Sequence, residues 1–368
     1  MRDKMKKKVL IVDDSAYSRQ TIKGMIETDD DVEVVGVASN GIEAMARTMK
    51  LKPDIITLDF EMPEMDGFSF LRWLMKERPT PVVMITSFSD STTVFKALEL
   101  GAVDFIAKPS RRASTELGNI KDDLLAKLKG ISDLRMDKLH ISRDLINRSP
   151  EDSTGRPDAL PEDGSLDEVG VVAIGASTGG PTALQVIITW LPAHLPAGII
   201  ISQHMPRGFT KPFADRLDRL SRIKVKEAAD GDIIEKGKAL ICPGGHHMVL
   251  KRRNKNVCVS LREATNRDKY IPSVDMMMAS AAEHFSAMTM GVILTGMGND
   301  GAKGIVEIKG KGGYTIAEAE SSAVIFGMPN EAIKTGGVDR VLPLYKISNE
   351  ISMTVMGKRD TKWKKNQG

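Results

Sequence analysis

VLIVDD at Val9–Asp14 and IITLD at Ile55–Asp59 decide the fold of the first third of the chain, because each is a strand-length run that ends in acid. Around them apolar runs (Val32 to Ala38, Val82 to Ile85, Val103 to Ala107) alternate with longer amphipathic segments such as Tyr17 to Ile26 and Gly41 to Met49. Strand-length runs separated by helix-length segments give repeated βαβ units, and so a parallel sheet covered by helices on both faces. The expected first domain is a doubly wound α/β unit.

Beyond Pro109 the chain turns to mixed charge, helical around Leu117 to Leu128. It then passes into NRSPEDSTGRPDALPEDGSLDE at Asn147–Glu168, a stretch with three prolines and almost nothing to bury. Such a composition reads as a linker. Val169 to Ile174 opens a second α/β series, continued by Gly198 to Ser202, Gly291 to Leu294 and Tyr314 to Ala317 as further parallel strands. Between them, Lys238 to Leu261 reads as antiparallel hairpins, with β-rich pieces around Pro243 to His246 and Asn254 to Asn256. The stretch after Leu344, lysine-rich from Lys358 to Lys365, reads as a solvated basic tail.

A length of 368 residues suits two domains, each with its own core. Hydrophobic content of 41% and charged content of 27% are those of a soluble globular protein. The net charge of +3 comes from mixed signs spread along the chain, so nucleic-acid binding is not expected. No apolar stretch is long enough to span a bilayer or serve as a secretory signal, which makes a cytoplasmic protein, not embedded in a membrane, the expectation. Cys242 and Cys258 are then expected to be buried thiols in a reducing compartment.

Asp13 and Asp14 follow the first apolar run and Asp59 follows the third, so the three carboxylates fall at the carboxyl ends of parallel strands, where open α/β sheets bind ligands. Clustered carboxylates repel one another unless a hard cation sits among them, and Mg²⁺ is the natural occupant. Thr86 and Lys108 end two further strands and bring a hydroxyl and a positive charge to the same rim, groups that a transferred phosphoryl needs. Residues 8 to 110 resemble a response-regulator receiver domain, which is flavodoxin-like. The resemblance implies that Asp59 is the phosphoacceptor and that Mg²⁺ is held by Asp13, Asp14, Asp59 and the backbone carbonyl of Glu61. It makes Thr86 the switch hydroxyl, Phe105 the aromatic switch residue and Lys108 the phosphate partner.

In VVAIGASTGG at Val171–Gly180 an apolar run meets a turn of small residues that presents the Ser177 hydroxyl. The GxSxG pattern alone fits a tight turn, a phosphate cradle or a dinucleotide site equally well. A helix beginning near Pro181 would set free N–H groups and a positive end beside Ser177, suited to a developing oxyanion. A serine nucleophile also needs a base, to be found among six histidines. His204, in SQHMPRGF after the strand Ile199 to Ser202, lies at the same rim. His246 and His247 in PGGHHM are its main competitors, while His140, His194 and His284 fall in helical or loop contexts. Asp300, in LTGMGNDG after the strand Gly291 to Leu294, supplies an acid at that rim, and the three positions describe a Ser-His-Asp triad. The acid comes last in the chain, unlike the order in α/β-hydrolases.

GASTGG, SQHMP and LTGMGNDGA following a receiver domain resemble the chemotaxis-type protein-glutamate methylesterases, response regulators of the CheB family, from Lys8 to about Leu344. The resemblance implies hydrolysis of γ-glutamyl methyl esters on the cytoplasmic helices of chemoreceptors, with deamidation of receptor glutamines. It also implies a chemotaxis histidine kinase as phosphodonor and no cofactor for the esterase step. It makes Ser177 the nucleophile, His204 the general base and Asp300 the orienting acid, with Thr178 and the Met297 backbone N–H as oxyanion and histidine-positioning groups. The corresponding division is a receiver domain at 8–128, a linker at 129–168, a catalytic domain at 169–345 and a basic tail at 346–368. Two other readings stay open: a phosphorylation-controlled adaptor without catalysis, and a nucleotide-binding domain. The latter wants an acidic ribose partner about 20 positions past the glycines, and Ala193 to Gly198 lacks one.

Overall fold

The computed structural model describes residues 6–87, 91–108, 120–131, 134, 145, 170–265 and 267–357. By its contacts the chain divides into two compact units, 1–143 and 144–368. Most of the expected linker, His140 and the lysine-rich stretch 358–365 lie outside the described residues.

Unit one alternates strand and helix throughout: β1 Lys7–Val12, α1 Ala16–Ile26, β2 Val32–Ala38, α2 Gly41–Leu51, β3 Ile55–Leu58, α3 Gly67–Glu77, β4 Val82–Ser87, α4 Ser91–Leu100, β5 Asp104–Lys108 and α5 Lys121–Ile131. The strands form one parallel sheet in the order β2-β1-β3-β4-β5. Val9, Leu10, Ile11, Ile55 and Ile56 are fully buried, as strands covered on both faces require. Helices α1, α2 and α3 start where Ser15, Asn40 and Asp66 accept a backbone N–H from three residues ahead. The chain runs outward from β1 to β2 and returns to β3, so the order reverses between β1 and β3. That reversal opens a crevice above their carboxyl ends. Helix α5 reaches Ile131, whose side chain is buried with Leu128, so 129–131 belong to this unit and not to the linker.

Unit two comprises β6 Val171–Ala176, α6 Gly180–Trp190, β7 Gly198–Gln203, α7 Thr210–Leu220, β8 Lys224–Glu227, β9 Lys238–Ile241, β10 His246–Arg253, β11 Asn256–Glu263, α8 Val274–Phe285, β12 Thr289–Ile293, α9 Ala302–Gly310, β13 Tyr314–Glu318, α10 Met328–Lys334, β14 Arg340–Leu342 and α11 Leu344–Val355. Seven strands make one parallel sheet, β14-β13-β12-β6-β7-β9-β8, and β10 and β11 pair separately as an antiparallel hairpin. Every residue of β6 and β7 is buried. The order reverses about β6, whose neighbours are β7 and the much later β12, which places a second crevice over β12, β6 and β7.

Two further expectations need correction. The region 238–261 is not all hairpin: Lys238–Ile241 is a parallel strand between β7 and β8, since Ala239, Leu240 and Ile241 are all buried in the sheet. The piece at Pro243 to His246 is the turn into β10, and Asn254, with φ of 56°, is the left-handed hairpin turn itself.

The basic tail does not start at 346. Residues 346–355 lie in α11, whose Ile347, Ile351 and Val355 recur every fourth position and are buried, while the Ser348 hydroxyl donates to the Ile187 carbonyl of α6 at 3.2 Å. The lysines that follow masked this short helical stripe in the sequence. Ile351→Ala is expected to cost about 2–4 kcal/mol of stability through loss of buried contacts and the cavity left behind. Urea unfolding of the full chain checks it, and an unchanged midpoint would contradict the docking of α11.

Candidate active site

The β6 ladder continues one residue past the strand on each side. Ser177 N–H donates to the Thr295 carbonyl and His204 N–H to the Ala176 carbonyl, both at 3.0 Å, so the two side chains emerge side by side at one rim. Gln203, almost wholly buried, fastens this rim: its Nε2 donates to the carbonyls of Ser177 (2.9 Å) and His204 (3.0 Å). Gly179 then turns the chain into α6 with φ of 77°, which a side chain would resist, and Pro181 occupies the first turn, where a missing N–H costs nothing. The positive end of α6 therefore begins next to the Ser177 hydroxyl.

Asp300 is 2% exposed and collects four donors. The N–H of Val274 (2.7 Å) and Nε2 of His204 (2.8 Å) reach Oδ2, while the N–H of Asp275 (2.9 Å) and the Ser273 hydroxyl (3.2 Å) reach Oδ1. Val274 and Asp275 open α8, so the carboxylate sits on a helix N-terminus, where negative charge is favoured. Burial pushes the Asp300 pKa up, but the bond and charge of His204 and the two backbone N–H groups outweigh it, leaving a net lowering. Its bond to His204 is thus complete at neutral pH and fails only as pH falls through that lowered value. Asp275 returns the favour by accepting the N–H groups of Gly301 (2.9 Å) and Gly304 (2.8 Å) at the start of α9, which locks the Asp300 turn to α8.

An ionised carboxylate only accepts, so Nε2 of His204 carries the proton and Nδ1 is left with its lone pair. The Ser177 hydroxyl makes no hydrogen bond to the described residues, and Nδ1 is the ring nitrogen available to it. Thr178 is buried, and its carbonyl accepts from the Thr295 hydroxyl at 2.9 Å. Met297 is half-buried in the turn after β12. The buried Glu318 holds this floor through the Thr295 N–H at 2.8 Å. His247 is engaged by Ser273, its Nδ1 accepting the Ser273 N–H at 3.0 Å, and His284 Nε2 meets the Leu250 carbonyl at 2.9 Å. Gln203, Ser273 and Glu318 were not singled out in the sequence. Of these, only Ser273, a capping residue after Pro272, carried a local signal.

In unit one, ligand atoms of Asp13, Asp14 and Asp59 lie within 4.8 Å of one another. Lys108 Nζ donates to Asp13 at 2.8 Å and also to Asp59, so one cation already stands between two of the acids. Burial is the largest influence on Asp13 and raises its pKa despite Lys108, whereas for Lys108 the charges of Asp59 and Asp13 overcome burial and raise it. Thr86 and Phe105 are buried on β4 and β5, and the Phe105 carbonyl accepts from Lys127 of α5 at 2.7 Å. Glu61 is exposed just past Asp59. Three converging hard oxygen donors suit a small divalent cation. Cys242 and Cys258 are free and buried, and burial pushes the Cys242 thiol up.

A family model described as CheB methylesterase matches residues 172–351, and one described as a response regulator receiver domain matches 9–116. The protein-glutamate methylesterase/protein-glutamine glutaminase 3 of Geobacter sulfurreducens is 46% identical over 359 residues, 94% of this chain and 96% of that relative. The chain belongs to the CheB methylesterase family. Its likeness extends to the protein-glutamate methylesterase/protein-glutamine glutaminase of Pyrococcus abyssi, which is 44% identical over 95% of this chain and 93% of its own. The crystal structure of the Thermotoga maritima CheB methylesterase catalytic domain is 45% identical, with a TM-score of 0.49 over 50% of this chain and 97% of that one. No helix among the described residues is long and apolar enough to cross a membrane.

Proposed function

We propose that this chain is a phosphorylation-controlled protein-glutamate methylesterase and glutaminase that acts on the cytoplasmic helices of chemoreceptors. The observation that carries the reading is the His204–Asp300 pair at 2.8 Å, set beside Ser177 on the rim of β12, β6 and β7. Ser177 attacks the γ-carbonyl of a glutamyl methyl ester while Nδ1 of His204 takes its proton. Asp300 stays ionised, fixes the tautomer and stabilises the imidazolium. The oxyanion is met by the positive end of α6, the Met297 N–H and Thr178. The imidazolium returns a proton to departing methanol, and water activated by His204 then releases the glutamate. The same cycle on a glutamine side chain releases ammonia. A methyl ester offers little to grip, so affinity comes from the receptor helix around it.

Unit one supplies the control. Asp59 accepts a phosphoryl group from a chemotaxis histidine kinase; Asp13, Asp14, Asp59 and the Glu61 carbonyl would hold Mg²⁺, which would neutralise oxygen charge there. Lys108, already bonded to Asp13 and Asp59, pairs with the added phosphoryl oxygens, and Thr86 and Phe105 register the change. Methanol release from methyl-esterified receptor membranes is expected to rise when a small-molecule phosphodonor and Mg²⁺ are added. Asp59→Asn is expected to abolish that rise, as radiolabelled phosphoryl incorporation and methanol assays would report in parallel. A variant that still gained rate with phosphodonor would remove Asp59 from the acceptor role.

A further inference from the structure

His204 has one side-chain hydrogen bond among the described residues, that of Nε2 to Asp300. A single bond at one end of an imidazole leaves the plane of the ring free to pivot about it. The other nitrogen must still be aimed at Ser177, so some other contact has to set that plane. Tyr270 makes such a contact. Its ring lies parallel to the His204 ring, with an interplanar angle of 6° and centroids 5.3 Å apart, an offset stack of the kind aromatic rings favour.

Tyr270 is itself held from the acid side. Its hydroxyl donates to Asn299 Oδ1 at 2.9 Å and receives the Asn299 N–H at 3.3 Å, one residue before Asp300. Gly298, at φ of 86°, packs so closely that a Cβ there would lie 2.4 Å from the tyrosine hydroxyl oxygen. The segment from Tyr270 to Asp275 thus handles both partners of Ser177. Its first residue lies flat on the base, and Ser273, Val274 and Asp275 donate to the acid.

We infer that Tyr270 is a positioning residue for the esterase reaction, fixing the plane of the His204 ring relative to Asp300 so that Nδ1 faces Ser177. The inference rests on the proposed triad. It assigns Tyr270 to turnover and not to substrate binding.

The test measures kcat and KM for methanol release from methyl-esterified receptor membranes, with thermal midpoints as a folding check, for full-length wild type, Tyr270→Leu, Tyr270→Phe and His204→Ala. Tyr270→Leu keeps an apolar side chain but removes the stack and the hydroxyl, and is expected to lower kcat about 10-fold with KM within about twofold. Tyr270→Phe keeps the stack and is expected to recover kcat to within about threefold of wild type. Four results would overturn the inference: a Leu variant with kcat within about twofold of wild type, a rise in KM with kcat untouched, a Phe variant as impaired as Leu, or a kcat loss matched by a collapse of the thermal midpoint. An active His204→Ala would instead overturn the triad itself, so the two failures are told apart.

Discussion

Ser177→Ala is expected to lower methanol release by about 10⁴-fold or more, with the fold and receptor binding intact. The side chain is half-buried at the end of a wholly buried strand, and its hydroxyl bonds to none of the described residues, so its removal breaks no contact the fold relies on. The backbone groups of Ser177 stay in place, because the Thr295 carbonyl and Gln203 Nε2 hold them whatever the side chain. What disappears is the atom that forms the acyl bond. Residual rate would come only from water polarised by the oxyanion donors. A mutant within tenfold of wild type, measured on the same membranes, would exclude Ser177 as nucleophile.

Asp300→Asn is expected to cost on the order of 10³- to 10⁴-fold in kcat, and the reason is tautomeric. Four donors converge on the carboxylate, two on each oxygen. An amide offers one acceptor oxygen and a donating NH₂. If its oxygen serves Ser273 and Asp275, the NH₂ meets the Val274 N–H and His204. The imidazole must then accept at Nε2 and carry its proton at Nδ1, facing Ser177, where it no longer acts as a base. If the amide is reversed, two donors at the start of α8 lose their acceptor instead, which costs about 1–3 kcal/mol each in a buried site. Kinetics and thermal melts together separate these cases, and a kcat within about tenfold of wild type would contradict the role of Asp300.

The architecture was legible wherever burial on both faces leaves a continuous apolar run, as in Val9 to Val12, Val171 to Ile174 and Gly198 to Ser202. Asp13, Asp59, Ser177 and His204 could be placed at one end of their sheets because each comes at or just after the end of such a run. Lys238–Ile241 was misread since KALI is short and is followed at once by turn residues, so nothing local tells a parallel insertion from a hairpin arm. Residues 346–355 were lost to the tail because the buried positions Ile347, Ile351 and Val355 are a weak stripe beside the lysines that follow.

The groups that surround His204 and Asp300 were the least legible. Asp300 meets Val274 across 26 positions and Tyr270 meets Asn299 across 29, distances at which neither periodicity nor turn chemistry carries information. Glu318 supports Thr295 from a neighbouring strand, a contact that exists only once β13 has paired with β12. Sequence pattern located Ser177 and His204 and the strand ends that present them. The hydrogen bonds to Asp300 and the stacking of Tyr270 on His204 arise from tertiary packing.

The most direct measurement is methanol release from methyl-esterified receptor membranes by wild type and Ser177→Ala, each with and without a small-molecule phosphodonor and Mg²⁺. The account predicts release by wild type that rises with phosphodonor, and a silent Ser177→Ala in both conditions. Release by Ser177→Ala comparable to wild type, or none from wild type in either condition, would contradict it.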